Sequence, residues 1–543
     1  MQRFIPVAFI APIAAFAQQL PDAGQLLQQV RPAAQPPARQ IPGTSVEERP
    51  AARPVDGQRV LVQGFRITGS SVIPQDELLP LVSDAIGKEL SLAELDALTQ
   101  RITRRLREAG LFVARAYLPA QDIRNGVVEI AVLEGRLGGV QVENTAGLAP
   151  SALAPVDSLT SGDPVTRKKL EDTLLALAEL PGMQLKSVLR PGSAVGTSDL
   201  LVQLTPGPAF GGSASIDNYG NRYTGATQLA ANLLWNNPSD HGDQASLRAE
   251  TTGSGFNYAR LGYQVPFGRS ATRMGATGSY MHYRLGKDFE VLDADGHASI
   301  GSVFALYPFL RGRDANWWGQ FQYDRKQLVD RVGAVAASTE KTLGNWTAGV
   351  SGNVVDTLAG GATNSLSLVG VRGHLALDAT TAVIDQVTAA SAGNFSKWTA
   401  SFQRAQNLPA EFSMLFSASG QWSSKNLDSS EKFSLGGAYG VRAYPQGEAL
   451  GDEGRLLSLE LRRPLAQNWD ARLFYDDGRV TTNRRPWTTA DNSRHLAGYG
   501  VGVAYATGRF ALRMFAAWKG NTGQPTSDHD RTPRVWAQGV TYF

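Results

Sequence analysis

The chain contains no cysteine. Disulfides, thiolate metal centres and a cysteine nucleophile are therefore excluded, although the absence by itself fixes no compartment. Histidine is scarce and scattered. His241, His282, His297, His374, His495 and His529 show no i,i+4 pair and no His-Glu-x-x-His. There is no Gly-x-Ser-x-Gly either. Gly87-Lys88 has the end of a phosphate loop, but position 82, where its first glycine belongs, is Val. Asp293-Ala294-Asp295-Gly296 has the look of a calcium loop, yet position 291 is Val, and Asp-Gly is more often a hairpin turn. Catalytic, cofactor-binding and metal-ligating constellations are thus all missing. Charge is low as well, with Asp, Glu, Lys and Arg at 19% and a net +3, which gives no footing for nucleic acid.

Long apolar runs are also lacking. Past the N-terminus no segment reaches the roughly 18 consecutive apolar residues of a membrane helix. That leaves a soluble protein or a transmembrane β-barrel, whose strands carry a far weaker hydropathy signal. The N-terminus itself, "MQRFIPVAFIAPIAAFAQQ", has a cation at Arg3 and an apolar run from Phe4 to Phe16. Ala15-Phe16-Ala17 is a small-x-small cleavage site, so residues 1–17 read as a secretory signal peptide.

What is present falls into four textures. In "PDAGQLLQQVR" (21–31), Leu26, Leu27 and Val30 lie on one side of a short helix, the core of an element assigned to 18–31. Residues 32–58 are proline-rich and nearly free of large apolar side chains, the composition of an extended linker. A short helix on a long tether suits a detachable element.

An α+β texture follows in two copies, 59–137 and 138–208. The first reads β-α-α-β-β: a strand at 60–69, a helix from Pro74 to Ile86, and a second helix opened by Ser91 and Glu94 and stopped by Gly110. Strands at 111–118 and 127–137 complete it. The second copy is briefer, with strands at 139–144, 183–192 and 199–207 and a helix from Pro164 to Leu180. Two copies of one unit make a tandem module.

From 209 to 543 the pattern is strict alternation punctuated by turn residues, with no helical segment. In "QLAANLLW" the residues Leu229, Ala231, Leu233 and Trp235 share one face; in "DQASLRAET" Ala245, Leu247 and Ala249 do. Trp235, Tyr258, Tyr263, Tyr280 and Tyr283 fall near strand ends, where an interfacial girdle belongs. The chain ends in Phe543 on a last strand. A soluble sandwich needs bulkier inward faces than these, so the pattern indicates a membrane barrel. At about 10 residues per tilted strand, the length brackets roughly 14 to 18 strands.

The whole arrangement resembles the outer-membrane transporters of two-partner secretion, the haemolysin and adhesin secretion/activation proteins, with the tandem units as POTRA domains. "LAELPGMQLKSVLRPGSAVGTSDLLV" (177–202) is similar to the second POTRA of that family, and "DNYGNRYTGATQ" (217–228) to the opening of its barrel. Within "GGAYGVRAYPQGEALGDEG" (436–454), Val441-Arg442-Ala443-Tyr444 resembles the family's Val-Arg-Gly-Tyr tip of a loop folded back into the pore. Phe474-x-Asp476-x-Gly478 resembles the partner motif on a barrel strand. Ala443 stands where the family has glycine.

The resemblance implies a barrel of about 16 strands, two POTRA domains in the periplasm, an N-terminal plug helix and a lid loop near 436–454. Arg442 would pair with Asp476, and Phe543 would serve as the barrel's C-terminal assembly signal. The implied function is translocation of an unfolded exoprotein, carrying an N-terminal secretion signal, across the bacterial outer membrane. The other partners implied are outer-membrane lipid and the barrel-assembly machinery. Two rival functions are a factor that assembles other barrels, and a passive porin with periplasmic appendages.

Overall fold

The structure is a computed structural model that describes residues 20–30, 44–46, 59–253 and 255–543. The signal peptide expected at 1–17 and most of the linker expected at 32–58 lie outside the described residues.

The first α+β unit packs the helix Leu92–Glu108 on a sheet of Gly64–Thr68, Val127–Leu133 and Arg115–Tyr117. Ser91 and Glu94 form the expected reciprocal cap, and Leu95, Leu98, Ile102 and Leu106 are buried on one face. The strand expected at 60–69 is broken after Leu61, and Arg59–Leu61 pairs separately with Glu89–Ser91. The helix expected from Pro74 shrinks to Gln75–Leu78 and two 3-10 turns, because Pro80 interrupts it. Strand 127–137 is also two strands. It breaks at Glu134 and at Gly135, whose φ is +74°, and the chain from Arg136 belongs to the second unit.

The second unit sets the helix Arg167–Ala178 on Met183–Pro191, Thr197–Pro206 and Arg136–Asn144. A 3-10 helix, Pro150–Ser158, fills the place of its first helix; its prolines hid it from periodicity. Part of the proline-rich linker is also ordered. A strand designated β1, Thr44–Val46, adds to the outer edge of this sheet and pairs in parallel with Ser187–Leu189.

Residues 210–542 form a closed antiparallel barrel of sixteen strands, from Phe210–Asp217 to Arg534–Tyr542, which pair with each other at the seam. Leu229, Leu233, Trp235, Leu247, Leu261 and Tyr263 are exposed on the outer wall. Two of the expected girdle aromatics are not there. Tyr258 and Tyr283 point inward and are buried, because they sit at the opposite parity from Tyr263 and Tyr280. Nor does Asp295-Gly296 make a hairpin; it lies inside the strand Ala294–Leu310, and Asp293 takes the left-handed turn position. The strands Ala315–Val332 and Ala337–Asp356, of 18 and 20 residues, exceed what a bilayer requires and project beyond it on the side away from the α+β units.

One loop on that far side does contain a helix, Ala379–Val387, capped by Asp378, which accepts from the Thr381 N–H at 2.9 Å. Its Thr- and Val-rich composition favours strand over helix, so alternation alone concealed it. On the other side the second unit docks on the barrel turns. Glu179 accepts from Arg311 Nε at 3.2 Å, and Arg273 lies 3.6 Å away.

Candidate functional site

Among the described residues, two pieces of the chain occupy the lumen. The first is α1, Ala23–Val30, held against the inner faces of Ala294–Leu310 and Ala315–Val332. A helix of this length is marginal in water on its own. Here Ala23, Leu26, Leu27 and Val30 are buried against Tyr258, Met281, Tyr283, Leu328 and Leu343. Each fully buried leucine or valine contributes about 1.5–3 kcal/mol. The first turn is then fixed by charge and hydrogen bonds. Lys341 lies 3.1 Å from Asp22, 3.1 Å from Asp428 and 3.7 Å from Asp330. Asp330 also accepts from the Ala23 N–H at 2.8 Å and from the Tyr283 hydroxyl at 2.7 Å. One lysine thus balances a group of carboxylates that would otherwise repel one another.

The second piece is the loop between the strands Ser413–Ser423 and Glu453–Ala466, which turns back into the barrel. Its base is a two-residue ladder, Phe433–Ser434 with Leu450–Gly451, so Gly454 of the expected loop range belongs to the barrel wall. The tip is a tight turn in which the Val441 N–H donates to Leu435 O at 2.7 Å and the Tyr444 N–H to Val441 O at 3.0 Å. Val441 and Tyr444 are fully buried. Ala443 is not among the residues of positive φ, so the alanine costs no backbone strain there.

Arg442 is 6% exposed and Asp476 0%, so the pair is dry. Arg442 Nε donates to Asp476 Oδ2 at 2.9 Å and Nη2 donates to Oδ1 at 2.9 Å, a two-pronged contact. The Arg442 N–H adds a third bond to Oδ2 at 3.1 Å. Nη1 donates to Glu460 Oε2 at 2.7 Å, and the guanidinium carbon sits 3.5 Å from the centre of the Phe474 ring. Behind it, Trp536 Nε1 donates to the Arg442 carbonyl at 2.7 Å. The motif on the strand Trp469–Thr481 now has a physical reading. Inward residues recur every second position, so Phe474 lies under the cation, Asp476 pairs with it, and Gly478 leaves room for Leu435. A side chain at Gly478 would begin 2.7 Å from Leu435 Cδ2.

Sequence reasoning missed three anchors. Glu460 is the second carboxylate on Arg442, and Trp536 caps its backbone. Glu448 is fully buried and accepts from Arg494 Nη2 at 2.6 Å and from the N–H groups of Thr526 and Ser527 at 2.8 and 2.9 Å. Glu460 gave no separate signal, since an acid at an inward position beside Arg462 is ordinary in a polar lumen. Plug and loop also touch, since Gln25 Nε2 donates to Gly447 O at 3.0 Å and Gln28 Nε2 to Ser429 O at 2.5 Å. Phe543 lies at the seam, where its N–H donates to Gly212 O at 3.2 Å and the Gly212 N–H donates to Phe543 O at 3.0 Å. Among the described residues no group of His, Asp and Glu is placed to hold a metal ion.

A sixteen-stranded membrane barrel with α+β units ahead of it and its lumen filled by its own chain has the architecture of the POTRA-plus-barrel class. Comparison with known proteins makes the assignment narrower. Residues 196–505 match the family of the haemolysin secretion/activation protein ShlB/FhaC/HecB, and residues 60–135 match the POTRA domain, ShlB-type. The chain belongs to that family. It is 28% identical over 535 residues to the heme/hemopexin transporter protein HuxB of Haemophilus influenzae, covering 94% of each chain. It is 24% identical to the outer membrane transporter CdiB of Dickeya dadantii, over 86% of this chain and 83% of that one. The solved structure of CdiB from Escherichia coli superposes with a TM-score of 0.71 at 22% identity, over 91% of this chain and 93% of the other, and shows the same fold. The protein is an outer-membrane transporter of two-partner secretion, with its POTRA domains in the periplasm.

Proposed function

We propose that the structure is the closed state of this transporter, and that an unfolded exoprotein with an N-terminal secretion signal opens it by displacing α1 and then the Arg442 loop. The observation that carries this reading is the Arg442 tip, buried between Asp476 and Glu460 at 2.9 and 2.7 Å and touched from the plug side through Gln25 and Gly447. Losing one partner of such a pair costs about 3–5 kcal/mol, so the loop has one seat and leaves it only against opposing free energy. No catalytic chemistry is required of any residue in it.

Entry begins in the periplasm. An extended segment adds most readily to an exposed sheet edge. In the second α+β unit the edge strand Met183–Pro191 already carries β1. A strand from the exoprotein that takes the place of β1 competes with only a three-residue ladder, Thr44–Val46. Because β1 and α1 lie on one tether, the same exchange frees slack for the plug. Folding of the exoprotein outside supplies the drive. For the barrel's own insertion, Phe543 at the seam is the assembly signal read by the barrel-assembly machinery.

The test is secretion of the exoprotein into the medium by wild type, Arg442→Ala and Asp476→Ala. Variants that insert normally but export less support the reading. Equal export by all three refutes a role for the lock. No export by wild type, together with failure of other barrels on its depletion, transfers the function to barrel assembly.

A further inference from the structure

On the outer wall, cations follow aromatics. The strand Ala315–Val332 presents Phe321, Tyr323 and then Arg325 outward, in order toward the cell surface. Across the sheet Tyr323 faces Trp346, with ring centres 4.6 Å apart, and Trp346 faces Arg372 on the strand Ala362–Leu377. Tyr323 and Trp346 mark the interfacial belt. Arg325 stands one outward position beyond Tyr323, and Arg372 lies directly across from Trp346, so the two are two inter-strand steps and two residues apart, about 12 Å. His374, exposed like both arginines, lies in the same hydrogen-bonding row as Arg325, through Gly344.

Both arginines lack an acid. Three other outward arginines have an acid beside them: Arg284 binds Asp293 at 3.0 Å, Arg331 stands directly across from Asp295, and Arg404 binds Asp356 at 2.7 Å. Among the described residues the Arg325 and Arg372 side chains make no hydrogen bond or ion pair. Beside Arg325 the wall also carries an open groove of about 570 Å³, lined by Leu261, Gly278, Tyr280, Gly301 and Gln327 among others. A methyl group at Gly278 or Gly301 would meet nothing within 4 Å, so the groove has a bare floor facing the lipid.

We propose that this face binds a phosphorylated glycolipid of the outer leaflet, with Arg325 and Arg372 holding its phosphates and the groove taking one of its acyl chains. Two forked donors held a fixed distance apart suit two phosphates on one headgroup better than a single charge. The groove lies on the lipid-facing wall, which places the anion on a lipid and not in solution. His374, next outward after Arg372 on the same strand and in the row of Arg325, adds a third polar group at the corner of this cluster.

The test uses the full chain in detergent with bisphosphorylated lipid A as probe, compared with dephosphorylated lipid A, phosphatidylglycerol and inorganic phosphate. Wild type retains bisphosphorylated lipid A through gel filtration. The Arg325→Ala/Arg372→Ala double variant binds it at least about tenfold more weakly, the scale of one charge-assisted hydrogen bond. Gly301→Leu, which fills the groove and leaves the arginines, also weakens binding. Heat-modifiable gel migration confirms that every variant is a folded barrel. Equal retention by wild type and the double variant overturns the proposal. So does competition by phosphatidylglycerol as effective as that by lipid A, or displacement by inorganic phosphate alone.

Discussion

The methyl group of Ala443 fills the space that Gly498 leaves on the facing barrel strand: a side chain at Gly498 would begin 2.6 Å from the Ala443 Cβ. Gly498 lies on the strand Ser493–Ala506, directly opposite Asp476. The alanine at the loop tip and the glycine in the wall are therefore one fitted pair. Gly498→Ala is expected to push the tip off its seat while the barrel itself still closes. Single-channel conductance in planar bilayers should then show frequent openings. Ala443→Gly removes only one methyl, worth about 0.8 kcal/mol, and should leave the channel mostly shut. Equal conductance for Gly498→Ala and wild type would show that the tip has other room to move.

Arg442 offers a sharper contrast. Arg442→Ala leaves Asp476 buried without a cation, a loss of about 3–5 kcal/mol, while Glu460 keeps Arg462 at 2.7 Å and Arg472 at 3.4 Å. Arg442→Lys keeps the charge but lacks the flat fork that meets both Asp476 oxygens. The expected order of loop protection, read by protease cleavage within 436–452 on intact cells, is wild type, then lysine, then alanine. A lysine variant as well protected as wild type would reduce the lock to simple charge.

Much of this was legible beforehand, and the reasons differ by element. Alternation identified the barrel because one parity meets lipid along every strand, and the Arg442 and Asp476 motifs could be read as a pair. The plug seat was less visible. Tyr258, Tyr283, Leu328 and Leu343 point inward, where a wet lumen should have polar residues. On strands apolar at both parities, such as "SYMHY" (279–283), alternation weakens, and that weakening was the available sign of something packed inside. The edge strand Thr44–Val46 left no local sign, because its pairing depends on a distant sheet. Glu460 was hidden in the same way, since only the folded loop brings Arg442 to it.

The plug depends on close approach as well as charge. A side chain at Gly24 would begin 2.6 Å from the Ser430 N–H nitrogen and still closer to the Ser429 hydroxyl. Gly24→Ala, a change that favours an isolated helix by roughly 1 kcal/mol, should nonetheless unseat α1. Lys341→Ala should do so too, by leaving Asp22, Asp330 and Asp428 without their shared cation. The chain has no cysteine, so a single introduced thiol at Gln29 reports plug exit through its labelling rate. Faster labelling in both variants is the expected result. Unchanged labelling would mean that apolar burial alone holds the helix.

The joint between the two periplasmic units carries a pH dependence. Glu134 is 5% exposed and accepts from the Ser71 hydroxyl and the Val72 N–H, both at 2.7 Å, and from Arg136 Nη2 at 3.2 Å. Arg136, the first residue of the second unit, also donates to the Ser71 hydroxyl at 2.9 Å and to Gly162 O at 2.8 Å, which ties the first unit to the second. Burial alone would raise the Glu134 pKa, but the Ser71 and Val72 hydrogen bonds and the Arg136 charge outweigh it and hold it below the usual glutamate value. A carboxylate whose folded pKa is depressed stabilises the joint above the unfolded pKa, and that contribution disappears as pH falls through the folded value. Amide exchange at Ser71 and Val72 in the full chain should therefore be slow at neutral pH and accelerate below about pH 4.5. Glu134→Gln should remove the acid dependence and exchange faster at neutral pH, with a loss of about 1–3 kcal/mol for the missing charged acceptor. A variant that keeps the wild-type acid profile would assign the dependence to another group.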